Sequence, residues 1–373
     1  MEFTIERSLF LKALSHSQSV IERRTTVPIL SNILLNAQEG GTLEMLATDL
    51  ELSLEEKLKA DVKTPGAITV PAHMLYDIVR KLPEGADITL VHDAEKSQVA
   101  IKAARSNFKL GTLPAEDFAS IQKDTLPHSL TLDVKVLRSL LERTRFAIST
   151  EETRYYLNGI YLHTAEVGGK KILKAVATDG HRLAQVEVSD VKTPEGMPGV
   201  IIPRKTVNEL LRILEHVEGK VEVSLSETNI SFSCDGILLT SRLIDGTFPD
   251  YEKVIPDQKT YNLTIPSKKF SETVDRVAIV SGDKLRVVKI ALAPKVATLS
   301  ATSLDHGSAV EEMEAEYKGD KVAFGLNSRF ILDVSQIIQG AKIEFAINDP
   351  GASILIRDSE DHTGSYVIMP LRV

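Results

Sequence analysis

The sequence predicts an α+β fold of antiparallel sheets, arranged as three similar domains that each hold two copies of a smaller unit. Three observations predict it. Similar segments recur at a nearly constant spacing, each recurrence starts with a short alternating strand followed by a helical pattern, and turn signals separate the strands that come later. A length of 373 residues agrees, since domains usually hold about 100–150 residues.

Two independent sets of markers carry the threefold repeat. The strand starts are 127 and 133 residues apart, and a later triplet recurs at spacings of 130 and 124 residues. The strand starts are Phe3–Ile5, Leu130–Leu132 and Leu263–Ile265. The triplets are Ala47-Thr48-Asp49, Ala177-Thr178-Asp179 and Ala301-Thr302-Ser303. Together with polar, proline-containing links, these markers predict domains at residues 1–124, 129–256 and 261–373.

Each domain divides again into two halves. The second halves open on further apolar strands at Ala67–Pro71, Val200–Pro203 and Val322–Leu326, and each of these leads into another helix. Polar turns such as Asp93–Lys96 and Ser226–Asn229 separate the strands that follow. The predicted unit is therefore a strand, a helix and about three more strands, present six times.

The six predicted helices are amphipathic. In the fourth, Val207, Leu210, Leu211 and Leu214 recur with helical period on one face. The predicted helices cover residues 6–18, 72–82, 133–146, 204–216, 267–280 and 327–338. The apolar faces are expected to pack on the sheets, which leaves the outer faces available for function.

Charge is distributed unevenly between the helices and the rest of the chain. The total is −8, but the six predicted helices carry a net +6, which leaves −14 for the remainder. One interpretation is that charged helix faces are simply solvated. The other is that the helices share one surface that meets a polyanion.

The composition excludes several classes of protein. Cys234 is the single cysteine, so neither an internal disulfide nor a multi-cysteine metal site is possible, and it is expected to be structural. The first residues carry acids and no apolar stretch typical of a signal peptide, and no apolar run reaches the ~18 residues that span a bilayer. A cytoplasmic protein that does not enter membranes is the expectation.

Catalytic signatures are missing. The chain has no phosphate-binding loop, no dinucleotide fingerprint, no zinc-protease motif and no histidine pair at metal-ligand spacing, so neither a metal nor a cofactor is expected. Asp179-Gly180-His181 resembles an acid–base pair, but a glycine turn between strands explains it as well. With no tryptophan and 5% aromatic residues, a stacking platform for single strands is not favoured.

Three local segments remain informative. Arg154–Gly159 places a base beside two phenols on a loop or early strand, and Arg23-Arg24 follows the first helix. The last segment, Tyr366–Val373, is unusually apolar for a terminus. It is either a core strand or a groove for partner peptides, in which methionine and branched side chains adapt to several ligands.

Several of these segments together resemble the family of bacterial DNA polymerase III beta subunits, the sliding clamps. The resemblance rests on Val27–Asn32, Arg154–Gly159, Ala177–Ala184, Asp245–Tyr251 and Tyr366–Arg372, in the right order over the whole chain. It implies a head-to-tail homodimer closed as a ring, with sheets outside and basic helices around duplex DNA. It also implies sequence-independent sliding that confers processivity in replication.

The resemblance further implies partners and residues. The partners are double-stranded DNA, the replicative polymerase alpha subunit, the clamp loader, and other polymerases and repair proteins that bind through short linear motifs. The residues expected to touch DNA are Arg24, Arg154, Tyr155 and Tyr156. Some clamps have a polar amide at the position of Glu151, so that contact is not carried over.

A partner-peptide groove is implied by the same comparison. Its residues are Leu157, Thr178, Gly180, His181, Arg182, Leu183, Pro249, Lys253, Val254, Val367, Ile368, Met369, Pro370, Leu371 and Arg372. Lys253 stands where some relatives have arginine, so its contact is expected to differ.

The ring interface should join the first domain of one subunit to the third of the next. Arg105, Phe108 and Leu110 lie on an expected edge strand, and Ile279 and Val280 end the fifth helix near several glutamates. An apolar contact flanked by opposite charges suits a stable joint that can open. The alternative is a repeat-built protein-interaction scaffold that never encircles DNA, and an enzyme centred on Asp179 or His181 is a more distant one.

Overall fold

The computed structural model describes residues 1–23, 25–118, 125–256, 261–282 and 286–372. Within them the order strand–helix–strand–strand–strand occurs six times, and two short extra strands complete the set. The sequence-based prediction of an α+β fold with antiparallel sheets is confirmed, because every strand pairing is antiparallel.

The helices match their predicted positions to within a few residues. Three follow directly on a proline that ends a strand (Pro71, Pro203 and Pro266), and proline is tolerated just before a helix because the N–H that it lacks has no partner within the helix. Their bounds are α1 (Arg7–Val20), α2 (Ala72–Lys81), α3 (Val134–Glu142), α4 (Arg204–Leu214), α5 (Ser267–Ala278) and α6 (Ser328–Ile337).

The strands follow the predicted repeats. In the first third they are β1 (Glu2–Glu6), β2 (Asn32–Gln38), β3 (Thr42–Thr48), β4 (Leu52–Lys59), β5 (Asp61–Thr64), β6 (Gly66–Pro71), β7 (Asp87–Asp93), β8 (Gln98–Ala103) and β9 (Ser106–Gly111). In the second they are β10 (His128–Asp133), β11 (Gly159–Val167), β12 (Lys170–Thr178), β13 (Arg182–Val188), β14 (Val200–Pro203), β15 (Lys220–Leu225), β16 (Asn229–Cys234) and β17 (Ile237–Arg242). In the last they are β18 (Tyr261–Pro266), β19 (Val287–Ala293), β20 (Val296–Ser303), β21 (Gly307–Glu314), β22 (Glu316–Tyr317), β23 (Val322–Asn327), β24 (Lys342–Ile347), β25 (Ile354–Asp358) and β26 (Gly364–Ile368).

The chain forms two compact units, each with two sheets. The first unit is Met1–Arg138, Lys192–Pro198 and Lys205–Leu243, and the second is the remainder, Ser139–Val191, Gly199–Arg204 and Ile244–Val373. The first unit holds a five-stranded sheet in the order β5-β1-β7-β8-β9 and an eight-stranded sheet in the order β10-β15-β16-β17-β4-β3-β2-β6. The second unit holds a nine-stranded sheet, β14-β11-β12-β13-β26-β25-β24-β18-β22, and a four-stranded sheet, β21-β20-β19-β23.

Each large sheet crosses a predicted domain boundary. In the first unit β17 of the middle domain pairs with β4 of the first, and in the second unit β26 of the last domain pairs with β13 of the middle one. These pairings explain why the two compact units do not coincide with the predicted domains 1–124, 129–256 and 261–373. Those boundaries stay a prediction, and the predicted links fall partly on residues outside the described ranges.

The amphipathic pattern of the helices corresponds to burial against the sheets. Phe10 and Leu14 of α1, Leu75 of α2 and Val207 of α4 are at most 1% exposed. Cys234 ends strand β16 and is buried, as expected, and burial raises the pKa of its thiol to about 11. No helix in the described part of the chain is long and apolar enough to cross a membrane.

Candidate functional site

The turn between β12 and β13 is built by the side chains of Thr178 and Asp179. Asp179 Oδ1 accepts hydrogen bonds from the backbone N–H groups of His181 (2.9 Å) and Arg182 (3.0 Å). Thr178 Oγ1 accepts from Gly180 N–H (3.1 Å) and donates to the Arg182 carbonyl (2.6 Å). Asp179-Gly180-His181 is therefore a turn between strands, the simpler of the two interpretations of that sequence.

Gly180 has two reasons to be glycine. Its φ of +88° lies in the left-handed region, which costs most other residues about 1–2 kcal/mol. A Cβ added there would also clash with Arg154 Nη1, the end of a side chain that Glu151 holds in place. The Arg154 guanidinium thus lies directly against the backbone of this turn.

Arg182 is fixed by contacts on several sides. Its Nε lies 3.0 Å from Asp179 Oδ2 and its Nη1 lies 2.5 Å from Asp333 Oδ2. The guanidinium carbon also stands 4.4 Å from the ring centroid of Phe330 and 5.3 Å from that of Phe146. With only 10% of its side chain exposed, Arg182 is a rigid part of the site.

The segment Glu152–Leu157 is a 3₁₀ helix rather than the loop or early strand expected from the sequence. Arg154 departs from helical geometry inside it (φ −113°, ψ 50°) and makes a two-pronged ion pair with Glu151, with Nε–Oε2 at 2.9 Å and Nη2–Oε1 at 2.7 Å. The hydrogen bond from Arg154 lowers the pKa of Glu151, and the same bond raises the pKa of Arg154. Arg154 is consequently paired within its own chain.

The opposite wall comes from Phe248 to Val254. Phe248 stacks on Tyr161 with ring centroids 4.9 Å apart, and the Tyr251 hydroxyl lies 3.0 Å from His163 Nε2. Burial, with Glu252 nearby, raises the pKa of Tyr251, and burial lowers the pKa of His163. The centre of this wall is an aromatic layer that consists of Tyr161, His163, Phe248 and Tyr251.

These elements enclose an open apolar cavity of about 280 Å³ in the second unit. Beneath it lies a buried cluster that includes Val176, Leu183, Leu355 and Val367. The lining residues are Arg154, Tyr156, Leu157, Thr178, Gly180, Arg182, Leu183, Pro249, Asp250, Tyr251, Val254, Val367 and Met369. An apolar cleft with a few polar groups at its edge can bind a short peptide segment through its apolar side chains.

Most of the predicted groove residues meet at this cavity. Those that line it are Leu157, Thr178, Gly180, Arg182, Leu183, Pro249, Val254, Val367 and Met369. Ile368 is fully buried, since successive strand residues point to opposite faces and Val367 takes the cavity side. The remaining predicted groove residues do not line the cavity either. They are His181, Lys253, Pro370, Leu371 and Arg372.

Two of those residues hold the end of the chain in place. The His181 carbonyl accepts a hydrogen bond from Met369 N–H (2.9 Å), and Leu371 N–H donates to the Gly325 carbonyl (2.8 Å). Lys253 forms an ion pair with Asp250 at 2.8 Å and is largely exposed. Membership of these residues in a partner groove stays a prediction.

Four lining residues were not predicted for the groove. Arg154 and Tyr156 were assigned to DNA, and Asp250 and Tyr251 belong to a segment that contributed only to the resemblance. The signal available in the sequence was the adjacency of Tyr156 to Leu157, which already belonged to the predicted groove. What was missing was the 3₁₀ conformation, in which adjacent side chains do not alternate between opposite faces as they do in a strand.

The predicted DNA contacts lie partly beside this cavity. Tyr155 is 54% exposed and packs edge-on against Tyr156 at 5.9 Å, while Arg154 is held by Glu151. Arg24 lies outside the described residues. The assignment of these four residues to DNA stays a prediction.

The predicted interface residues lie at two exposed sheet edges. Phe108 and Leu110 are on β9, an edge of the five-stranded sheet, as predicted, and Arg105 is in the turn before it. Ile279, 78% exposed, and Val280 follow α5, near the edge strand β21 of the four-stranded sheet.

A second, larger cleft contains none of the predicted site residues. It has a volume of about 1250 Å³ and lies around Tyr261, Lys295, Glu316 and Tyr317. Its lining includes two lysines and two glutamates, Lys295, Lys318, Glu314 and Glu316. No cluster of three or more potential metal ligands occurs in the described part of the chain.

Comparison with known proteins assigns the family. Models of the N-terminal, central and C-terminal domains of the DNA polymerase III beta subunit match residues 1–122, 131–250 and 252–372. The chain is 48% identical over 373 residues to the beta sliding clamp of Caulobacter vibrioides and 34% identical over 376 aligned residues to that of Escherichia coli K12, covering all of each protein.

Solved structures agree with this assignment. A crystal structure of the Caulobacter crescentus beta sliding clamp matches with a TM-score of 0.97 at 47% identity, covering 100% of this chain and 99% of the other. The clamp of Bartonella birtlesii, bound to griselimycin, matches with a TM-score of 0.97 at 44% identity over both full chains. With three successive domain models and full-length similarity, the chain belongs to the DNA polymerase III beta subunit family, the bacterial beta sliding clamps.

Proposed function

We propose that two copies of this chain close head to tail into a ring around duplex DNA, and that the apolar cavity binds short segments of the polymerase and other replication and repair proteins. The chain then acts as a tether in the cytoplasm, without catalysing a reaction. The observation that carries this proposal is a pair of free sheet edges whose counterparts elsewhere in the chain are paired.

Equivalent positions in the three domains can be traced through the strand ladders. From each domain's first strand, paired residues lead through two further strands to the domain's last strand. The ladders are Phe3–Leu90–Ile101–Phe108, Leu130–Val223–Phe232–Leu239 and Leu263–Phe345–Ile356–Tyr366. Phe108, Leu239 and Tyr366 are therefore equivalent.

Two of these three equivalent residues already have a partner across a domain boundary. Leu239 lies opposite Leu54, and Tyr366 lies opposite Ala184. Phe108 is on the free edge strand β9. The residue equivalent to Leu54 and Ala184 in the last domain is Ala309, because Leu54 pairs with Ala47, Ala184 with Ala177 and Ala309 with Ala301 of the recurring triplet.

Repetition of the same joint predicts the register of the ring closure. Phe108 of one subunit should face Ala309 of the other, and since the strands run antiparallel, Asn107 should face Val310 and Leu110 should face Gly307. The two edges have compatible surfaces. Phe108 and Val310 are 39% and 67% exposed, β21 carries Glu311, Glu312 and Glu314, and Lys102, Arg105 and Lys109 lie on or next to β9.

A ring of this kind needs only weak contacts with DNA. The excess of positive charge on the helices supplies attraction to phosphates that is independent of sequence. Encirclement, rather than tight binding, then prevents escape, so the protein slides freely along the duplex. The acidity of the rest of the chain disfavours contact with DNA elsewhere.

The circular form of the DNA provides the decisive experiment. Protein loaded by the clamp loader onto a nicked plasmid should stay bound through gel filtration and should leave once the plasmid is cut by a restriction enzyme. Retention on linear DNA would contradict encirclement and favour a scaffold that attaches by direct contact. Blocking both DNA ends with bound streptavidin should restore retention, which controls for damage caused by cutting.

Cysteine cross-linking tests the register of the joint. The double variant Asn107→Cys with Val310→Cys should form a covalent dimer on mild oxidation, because facing strand residues meet the distance a disulfide needs. The matched control, Asn107→Cys with Ser308→Cys, keeps both cysteines but places them two residues out of register. Equal cross-linking in both variants, or stronger cross-linking in the control, would contradict the predicted register. The natural Cys234 is buried and should contribute little background.

A further inference from the structure

The cations around the cavity are each paired with an acid of the same chain. Arg182 binds Asp179 and Asp333, Lys253 binds Asp250, and Arg154 binds Glu151. Arg182 is almost buried and held on all sides, and Lys253 lies outside the lining. Arg154 is the one of the three that lines the cavity with about a third of its side chain exposed, so it is the cation that an incoming segment can reach.

The backbone of Glu151 is held in position for this pairing. Its N–H donates to Ser149 Oγ (3.1 Å), and its carbonyl accepts from Arg154 N–H (3.3 Å) and from Asn158 Nδ2 (3.2 Å). The carboxylate binds two nitrogens of the guanidinium, and the third nitrogen, Nη1, lies against Gly180. The pair therefore holds Arg154 across the edge of the cavity.

We propose that Glu151 determines which partner segments the groove prefers. It occupies Arg154 in the empty groove, so an acidic residue of a partner segment reaches that guanidinium only by displacing Glu151. The groove thereby discriminates against acidic segments and relies on apolar side chains for binding. This inference rests on the proposed binding of partner segments in the cavity.

The ion pair between Glu151 and Arg154 is weak enough for a partner segment to displace it. Glu151 has 53% of its side chain exposed and Arg154 has 31%, and ion pairs this exposed shift an equilibrium by a small factor, up to about fivefold. A partner segment can therefore displace Glu151 at a small cost in free energy, while acidic and neutral segments still differ measurably in affinity. A fully buried pair would make the same displacement too costly.

A peptide series tests the proposal directly. The probes are fluorescein-labelled decapeptides with a central Leu-Leu-Phe anchor in a Gln/Ser background, either neutral or with one Glu placed at each flanking position in turn. Binding to the full-length protein is measured by anisotropy. In the Glu151→Gln variant at least one Glu-bearing peptide should bind about two- to fivefold more tightly than to the original protein, while the neutral peptide is unchanged. Because the effect is electrostatic, high salt should abolish the gain.

Two further variants make the result specific. Glu152→Gln removes the neighbouring exposed acid, which makes no ion pair within the described part of the chain, and should leave all affinities unchanged. In the double variant Glu151→Gln with Arg154→Gln the preference for the Glu-bearing peptide should disappear.

The outcomes that overturn the proposal are distinct. Equal gains in peptide affinity in the Glu151 and Glu152 variants would indicate a general effect of charge. Equal gains in affinity for neutral and acidic peptides would indicate that Glu151 acts on the shape of the cavity. No change for any peptide would also contradict it. Failure of the neutral peptide to bind the original protein would instead count against the groove itself.

Discussion

The turn Thr48–Leu52 in the first unit and the turn Thr178–Arg182 in the second have the same hydrogen-bonded framework but different surroundings. In both, the aspartate Oδ1 accepts from two backbone N–H groups, and the threonine hydroxyl accepts one N–H and donates to a carbonyl. Each turn has one residue with positive φ, Leu50 at +78° and Gly180 at +88°. Each also stands beside a joint between predicted domains.

The two turns differ in what the second carboxylate oxygen of the aspartate binds. Asp49 Oδ2 binds Lys205 Nζ (2.5 Å), which also binds Glu22 (2.9 Å) and the Val20 carbonyl (2.9 Å). Asp179 Oδ2 binds Arg182 of its own turn (3.0 Å). The first turn is therefore closed over by a charged cluster, whereas the second borders an apolar cavity.

The comparison separates two properties of a repeated fold. The framework of the turn is encoded by Thr-Asp and recurs with the repeat. The apolar cavity beside the turn does not recur with the repeat, because it depends on which residues other strands and helices place next to the turn. In the third domain the triplet ends in Ser303 and the same framework is not built; there Ser303 Oγ accepts from Asp305 N–H (3.3 Å).

Removal of the aspartates should give the largest effect. Asp179→Ala should destabilise its turn by about 3 kcal/mol and Asp49→Ala by about 2 kcal/mol, because each variant loses two charge-assisted hydrogen bonds to backbone N–H groups. The loss is greater for Asp179→Ala because Arg182, which then loses one of its acidic partners, is more buried than Lys205. Hydrogen exchange of the turn amides measures both. Asparagine at either position keeps an oxygen acceptor and should recover about half of the loss. A greater loss of stability in Asp49→Ala than in Asp179→Ala would contradict the predicted order.

Exchange of the residues with positive φ should have a smaller effect. Gly180→Ala should destabilise by about 1–2 kcal/mol and weaken peptide binding, since Cβ meets both an unfavourable φ and Arg154. The stability of Leu50→Gly should differ from that of the original protein by less than about 1 kcal/mol. Glycine removes the strain of the positive φ at this position, but its greater conformational freedom in the unfolded chain offsets the gain. Thermal unfolding of both variants tests this. Destabilisation by Leu50→Gly as large as that by Gly180→Ala would contradict the predicted difference between the two positions.

The pH dependence of the Lys205 cluster should give the smallest effect. Burial alone would lower the pKa of Lys205, but the hydrogen bonds from its ammonium to Asp49 and Glu22 outweigh burial and raise it above 10.5. The stabilisation is therefore complete below about pH 10 and is lost as the pH rises past the raised pKa. Because a third of the side chain is exposed, it should amount to less than about 1 kcal/mol.

A comparison of the original protein with Lys205→Met isolates this cluster from other titrations. The difference in Tm between the two should be constant up to about pH 10 and should shrink as the pH rises further. Glu22→Gln, which removes the more exposed acid, should reduce the difference only slightly. A difference that grows with pH would contradict the assigned direction.

Local patterns predicted most of the fold. The alternation in Leu130–Leu132 and the helical period in Val207–Leu214 each specify one element, because the side chains that matter lie within a few residues of one another. Nine of the predicted groove residues line one cavity. The 3₁₀ conformation of Glu152–Leu157 was not predicted, because no local period distinguishes it from a loop.

Long-range pairing was beyond the reach of such patterns. Lys205 and Asp49 are 156 residues apart, and β17–β4 and β13–β26 join strands from different predicted domains. A repeat in the sequence shows that domains are alike, but it does not state which edges they share. The position of Arg154 at the cavity has this origin only in part, since Gly180 is distant in the chain whereas Glu151, its ion-pair partner, is a local residue.

The sequence by itself determined that this protein is built from six strand–helix–strand units with basic helices in an acidic chain, and it was sufficient for recognising the family. These properties depend on periodicity, spacing and composition, which are local or additive. The tertiary structure alone decided which turn borders an apolar cavity, which strands pair across the predicted domain boundaries, and that β9 and β21 lie at sheet edges while their equivalents in the other domains are paired. Those properties depend on contacts between residues far apart in the chain, and such contacts exist only once the sheets have paired.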